Sequence, residues 1–161
     1  METKTSSSSV RRFDSLQQEA FLNLWRTYDR LRMVEDELFS QHQLTAQQYN
    51  ALRLLRAVYP ESLPTLALAS RLVSRAPDIT RLLDRLEQQE LIVRERPSEN
   101  RRSVMVRLTE TGLKLLAQLD QPVTECHLKQ LGHLSVDELK QFTELLKRAR
   151  GPHEGADSHW Q

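Results

Sequence analysis

The hydrophobic period of this chain changes at Glu90, and that change limits the folds open to it. Ahead of it, apolar residues recur at three- and four-residue spacing: Leu52 and Leu55, then Leu66, Ala69 and Leu72, then Ile79, Leu82, Leu83 and Leu86. These are the buried stripes of three short amphipathic helices. Behind it, Leu91-Ile92-Val93 begins a strand, and Val104, Val106 and Leu108 alternate with Ser103, Met105 and Arg107. The Pro97-Ser98-Glu99-Asn100-Arg101 stretch between them is turn-like, so the expected element is a β-hairpin with a polar tip. The helical period returns through Leu113, Leu115, Leu116 and Leu119, and again through Leu139, Phe142, Leu145 and Leu146.

Local signals set the boundaries. Thr45 and Gln48 can form a capping box, with Leu44 and Tyr49 as the flanking staple, and Ser135, Glu138, Leu134 and Leu139 repeat that logic ninety residues later. Pro60 stops the first short helix. Pro77 is tolerated only in a first turn, which places the third helix at about residues 75–89. A longer helix covers about residues 14–40. Its Leu24, Leu31 and Leu38, widened by Phe21, Trp25, Tyr28 and Val34, make a stripe broader than one buried face needs. Burial inside one monomer is one account of that stripe, and contact with a partner subunit is the account favoured here. The expected organisation is a disordered tail over 1–12, an N-terminal dimerisation helix over 13–43, and a winged helix-turn-helix over 44–112. C-terminal helices over 113–150 and a second disordered tail over 151–161 complete it.

Composition narrows the function. A chain of 161 residues with 4 Gly and 6 Pro is a helical globular protein, not a low-complexity one. No apolar run is long enough for a membrane span, and no apolar stretch follows the N-terminal charges as a secretory signal requires. One cysteine, Cys126, cannot form an internal disulfide, and the expected location is the cytoplasm. Cys126, His127 and His133 lack the spacing of a helical ligand pair, and no metal or cofactor is expected. There is no Gly-rich phosphate loop, GxSxG or HExxH, so the chain does not read as an enzyme.

Two short helices, a third with a basic first turn, and a hairpin make a winged helix-turn-helix: mainly α, with a small β-hairpin wing. The third helix can enter a DNA major groove, which is about 12 Å wide. It would present Arg75, Pro77, Asp78, Arg81 and Arg85, with Thr80 beside them. The hairpin tip offers Arg101 and Arg102 to a flanking minor groove or phosphate. From Arg71 to Arg107 nine arginines stand against six acidic residues, a net charge of +3. An ordinary solvated face, with Arg81 and Arg85 paired to Asp84 and Glu87, accounts for the same charges. A winged-helix module that docks a protein is the alternative function.

The stretches LTAQQYNALRLL and RAPDITRLLDRLEQQELIVRERPSENRRSVMVRLTETG resemble the MarR family of dimeric winged-helix transcriptional regulators. The similarity spans about residues 13–150 and is strongest from Leu44 to Gly112. The family wing commonly carries an Asp, a variable residue and an Arg before a Leu-Thr pair. The matching positions here are Asn100, Arg101 and Arg102, followed by Leu108-Thr109. Asn100 therefore replaces an acidic residue, and Glu90 stands where the family usually has Gly.

The resemblance implies a homodimeric repressor that binds double-stranded DNA at a pseudo-palindromic operator, with half-sites about 10 bp apart. It implies self-association through the first and last helices, for which Leu24, Leu31, Leu139, Phe142, Leu145 and Leu146 are the candidates. It also implies release by a small aromatic ligand, for which Trp25, Tyr28, Arg32 and Tyr49 are candidate lining residues. Aromatic residues at helical spacing more often form core.

Overall fold

The structure is a computed structural model that describes residues 12–76, 78–98, 103–156 and 158–160. Four of the expected DNA-contacting residues, Pro77, Asn100, Arg101 and Arg102, lie outside the described residues, as does nearly all of the expected N-terminal tail. The chain divides into two compact units, Met1–Met33 and Val34–Gln161.

Helix α1 spans Leu16–Ser40. At its start Ser15 Oγ accepts from the Gln18 N–H at 3.0 Å, and its residues 21–30 are all exposed. It ends within the second unit in a left-handed turn: Gln43 has φ 56, and the Leu44 N–H reaches back to the Phe39 carbonyl at 3.0 Å. The Phe39 carbonyl also accepts from the His42 N–H at 3.0 Å, so the turn closes the end of the helix. Helix α2 (Ala46–Arg56) opens on the expected capping box, with the Gln48 N–H on Thr45 Oγ1 at 3.2 Å and the Thr45 N–H on Gln48 Oε1 at 2.8 Å.

Strand β1 (Ser62–Pro64) runs directly into helix α3 (Thr65–Arg71). It pairs with strand β3 (Met105–Leu108), which also pairs with strand β2 (Ile92–Glu95), giving an antiparallel sheet in the order β1-β3-β2. The expected two-stranded hairpin is therefore part of a three-stranded sheet. Three residues cannot display a period of two, and Pro64 limits β1 to an edge, so nothing in the local pattern announced it. The Thr65 N–H and Oγ1 both donate to the Val104 carbonyl, at 2.9 and 3.0 Å, which ties the first turn of α3 to the entry of β3.

Helix α4 covers Ile79–Gln88, a turn shorter at its start than the expected 75–89. Ala76 precedes a proline and is disfavoured in the helical region. Asp78 then takes the N-cap, its Oδ1 accepting from the Arg81 N–H at 2.9 Å. At the other end the Leu91 N–H reaches the Leu86 carbonyl at 3.0 Å and the Glu90 N–H reaches that of Glu87 at 2.9 Å, around Glu90 at φ 58. This is the conformation glycine adopts without cost. A left-handed residue with a side chain costs about 1–2 kcal/mol, and glycine's extra unfolded-state freedom offsets about 0.5–1 of that. Glu90→Gly should therefore raise stability by about 0.5–1 kcal/mol, read as a higher urea midpoint at unchanged slope.

Helix α5 (Glu110–Leu131) is capped by Thr109, whose Oγ1 accepts from the Gly112 N–H at 3.0 Å, and it runs through Pro122 without interruption. Helix α6 (Val136–Arg150) opens on the Ser135–Glu138 capping box. The segment after it, expected as a structureless tail, carries a 3-10 turn at Gly151–His153. Arg150 pairs with Glu154 at 2.8 Å and lies over the Trp160 ring at 5.9 Å. One side chain gathers these residues, a long-range effect that aperiodic sequence conceals.

Leu55, Leu68, Leu83, Leu86, Val106 and Leu116 are almost fully buried, and they knit α2, α3, α4, β3 and α5 into one core. Helix α6 contributes no buried residue. Its apolar face is only partly covered: Leu139, Phe142 and Leu146 are half-buried and Leu145 is 59% exposed.

Candidate nucleic-acid interface

Helix α4 buries Leu82, Leu83 and Leu86 and turns Asp78, Thr80, Arg81 and Arg85 to solvent. Asp78, Arg81 and Arg85, spaced by three and four residues, share one side of the helix. With Thr45, Gln47 and Gln48 from the start of α2 they line an open groove of about 420 Å³. Thr80 lies on another flank, lining a groove of about 390 Å³ with Pro64, Leu83, Arg94 and Val104 beneath the sheet. Arg75 is exposed in the segment ahead of the helix. The six expected major-groove residues thus divide: three stand together, Thr80 faces the wing, Arg75 precedes the helix, and Pro77 is outside the described residues.

The acidic residues of α4 are engaged elsewhere. Arg94, on β2, donates from Nη2 to Asp84 Oδ1 and Glu87 Oε2, both at 2.6 Å, and from Nε to Glu87 Oε2 at 3.0 Å. Its backbone N–H donates to Glu87 Oε1 at 3.0 Å. Asp84 is therefore not available to Arg81 at the i,i+3 spacing open to the sequence, and Glu87 is held on the Arg94 side. Among the described residues, neither Arg81 nor Arg85 has an ion pair. The clamp leaves the outer side of α4 cationic and fixes the helix to the base of the wing. Charge-assisted, multidentate bonds of this kind hold geometry as well as energy.

The clamp also titrates. The Arg94 guanidinium holds the Glu87 carboxyl below its ordinary value of 4.5, chiefly by side-chain hydrogen bonding and with its backbone N–H adding to the effect; burial opposes it. A carboxylate depressed in the folded state stabilises at pH above its unfolded value, and the contribution is lost as pH falls through the folded value. The Glu87 side chain is 37% exposed, so solvent screening keeps the effect modest. The stability advantage of the wild type over Glu87→Gln should be full near neutrality and shrink as pH falls below about 4.5. Urea unfolding of both proteins across that range measures it, and a pH-independent difference would remove the clamp from the account.

Sequence reasoning missed three positioning groups. Arg94 was visible only as a charge following the apolar Leu91-Ile92-Val93 run. Asn50, buried in α2, accepts from the Val73 N–H at 3.0 Å and holds the turn between α3 and α4. Gln89 caps α4 and donates from Nε2 to the Gln43 carbonyl at 3.1 Å.

The remaining candidates are placed as follows. Tyr49 stacks on Phe39 with ring centroids 4.6 Å apart, and burial pushes its phenol pKa up, so it has a packing role. Trp25 and Tyr28 are exposed on the N-terminal part of α1; Trp25 lies 6.3 Å from the Phe21 ring, and the Arg32 guanidinium lies 6.0 Å from that of Tyr28. Leu24 is exposed, while Leu31, Leu139, Phe142 and Leu146 are half-buried. Cys126 is buried, and burial pushes its thiol pKa up, away from the thiolate form that reacts. Among the described residues no group of His, Cys, Asp and Glu is arranged to hold a metal, and no helix is long and apolar enough to cross a membrane.

A sequence profile of the MarR family matches residues 44–104, the segment that contains α2, the α3–α4 pair and most of the sheet. A MarR transcription factor from Planctomyces limnophilus is 58% identical over 84% of this chain and 98% of its own, with a TM-score of 0.68. At lower identity the fold is shared with E. coli MarR, solved as a mutant complexed with operator DNA (24%, 84% and 98% covered, TM-score 0.73). It is shared also with Bordetella bronchiseptica BpsR, whose DNA binding is regulated by 6-hydroxynicotinic acid (21%, 81% and 98% covered, TM-score 0.73). With most of the Planctomyces factor matched at that identity, and with the helix pair and sheet in place, the chain belongs to the MarR family of transcriptional regulators.

Proposed function

We propose that this regulator is a homodimeric repressor that reads a pseudo-palindromic operator with α4 in the major groove and is released by a small ligand. The observation that carries the reading is the outer side of α4. Arg81 and Arg85 stand exposed beside the Asp78 cap, while Arg94 holds Asp84, the acid that could pair with Arg81 at i,i+3, together with Glu87. Arginine in this setting suits bidentate contact with guanine or phosphate. Arg75 stands exposed ahead of the helix, and Thr80 faces the wing side. Asn100, Arg101 and Arg102 follow β2 in sequence and are assigned to the minor groove or its phosphates by their place in the hairpin.

Dimerisation is supported by apolar surface that one chain leaves open. Helix α6 has no buried residue, and Leu24, Trp25 and Tyr28 of α1 are all exposed. Leu24, Leu31, Leu139, Phe142, Leu145 and Leu146 are the residues assigned to the contact. The relatives bound to operator DNA and regulated by 6-hydroxynicotinic acid support the operator and the aromatic effector. Trp25, Tyr28 and Arg32 remain the residues assigned to that effector, with Tyr49 acting from its packed position. Work on chromosomal DNA accompanies a cytoplasmic location.

Selection of bound sequences from random duplex DNA with the purified protein tests the reading. A palindromic motif with halves about one helical turn apart is the expected result. Binding should fall steeply with salt, by close to one log unit per log unit of salt for each phosphate neutralised. Failure to enrich any motif, or salt-insensitive binding, would reject it, as would a monomer at micromolar concentration in sedimentation equilibrium.

A further inference from the structure

Gln89 closes α4 with its backbone and reaches out of the helix with its side chain. Its N–H bonds the Arg85 and Glu87 carbonyls, while Nε2 donates to the Gln43 carbonyl 46 positions earlier, at 3.1 Å. The carbonyl sets the sense of the amide, because turning it over would place Oε1 acceptor to acceptor against the Gln43 oxygen. Held this way, Oε1 is enclosed and has no hydrogen-bond partner among the described residues. Both ends of the link sit in left-handed turns, Gln43 at φ 56 and the neighbouring Glu90 at φ 58. One side chain thus joins the corner between α1 and α2 to the end of α4.

An enclosed acceptor without a partner costs at least as much as one hydrogen bond contributes on balance. An apolar side chain of the same length would therefore serve stability as well or better. The amide needs an explanation in geometry. We propose that Gln89 is a positioning residue that holds the recognition helix against the α1–α2 corner, and so sets the separation at which the two recognition helices of a dimer meet DNA. The proposal rests on the dimeric operator reading above.

Gln89→Met keeps the length of the side chain and removes both polar atoms. Gln89→Lys keeps a donor for the Gln43 carbonyl and removes the enclosed acceptor. Urea unfolding is measured for each, with affinity for the selected operator and for the same operator carrying one base pair more or fewer between its halves. Gln89→Met is expected to unfold at the same or a higher urea concentration than wild type and to discriminate spacings about tenfold less, within the range shown by coupling residues. Gln89→Lys is expected to restore the discrimination. Unchanged discrimination in Gln89→Met overturns the proposal, as does a loss of affinity equal on all spacings that tracks lowered stability. Failure of Gln89→Lys to restore what Gln89→Met relaxes overturns it too, since a donor alone would then not be the link. A wild type with no spacing preference overturns the dimeric reading and this proposal with it, whereas a discriminating wild type with an unaltered Gln89→Met overturns this proposal alone.

Discussion

Replacing Arg81 and Arg85 together by alanine is expected to lower operator affinity by about 100-fold or more at physiological salt, each arginine accounting for about 1–3 kcal/mol. Stability should change by no more than about 0.5 kcal/mol, because both side chains are exposed and neither has an ion pair among the described residues. The salt dependence divides two modes of action. Arginines on phosphate would take about one unit each from the slope of log affinity against log salt and weaken all sequences alike. Arginines on guanine would leave the slope nearly unchanged and relax preference at two positions of each half-site. Unchanged affinity in the double variant would sink the assignment of α4 as the reading helix. Titration of fluorescent operator and of a scrambled duplex at several salt concentrations supplies every arm.

That side of α4 was legible in the sequence only in part. Arg81 and Arg85 follow from the helical period, since Ile79, Leu82, Leu83 and Leu86 fix which side is buried. The fate of Asp84 and Glu87 does not follow. Their partner, Arg94, comes from β2, and a strand's position against a helix depends on how the core closes. The capping boxes at Thr45 and Ser135 were readable because donor and acceptor lie within four consecutive residues. Strand β1 was not, because its evidence is pairing with residues some forty positions away. Glu90 is intermediate. Its left-handed backbone is invisible to periodicity and was signalled by the glycine that the family usually carries there.

The wing and α6 show the same boundary between local and assembled information. The amphipathic period of α6 is plain, yet a single chain buries none of its residues. Sequence therefore marks an apolar face correctly without saying whether the covering surface lies in the same chain. Exposed Leu145 on α6 turns that ambiguity into apolar surface that association would cover. Arg94 acts in the opposite direction, keeping an internal geometry that a partner subunit does not have to supply.

Gly112→Ala should destabilise the domain by about 2–3 kcal/mol, although alanine is the better helix former by about 1 kcal/mol. The glycine lies in the first turn of α5, and a Cβ there would clash with the Leu91 carbonyl oxygen and stand 2.7 Å from Leu108 Cδ1. A flexible side chain could turn aside. The Leu91 carbonyl is backbone, and it already accepts from the Thr109 N–H at 3.1 Å. The adjoining Glu90 carbonyl accepts from Thr109 Oγ1 at 2.7 Å. Moving Leu91 away would strain both bonds and the turn that ends α4, because Leu91 also donates to the Leu86 carbonyl. The loss should therefore appear in urea unfolding and also as weakened operator binding through displacement of α4. Glu90→Gly provides the control, since it acts on the same turn by relieving backbone strain and should raise stability. If Gly112→Ala matched the wild type in urea midpoint, the close approach of α5 to Leu91 would not be the constraint that positions the end of the recognition helix.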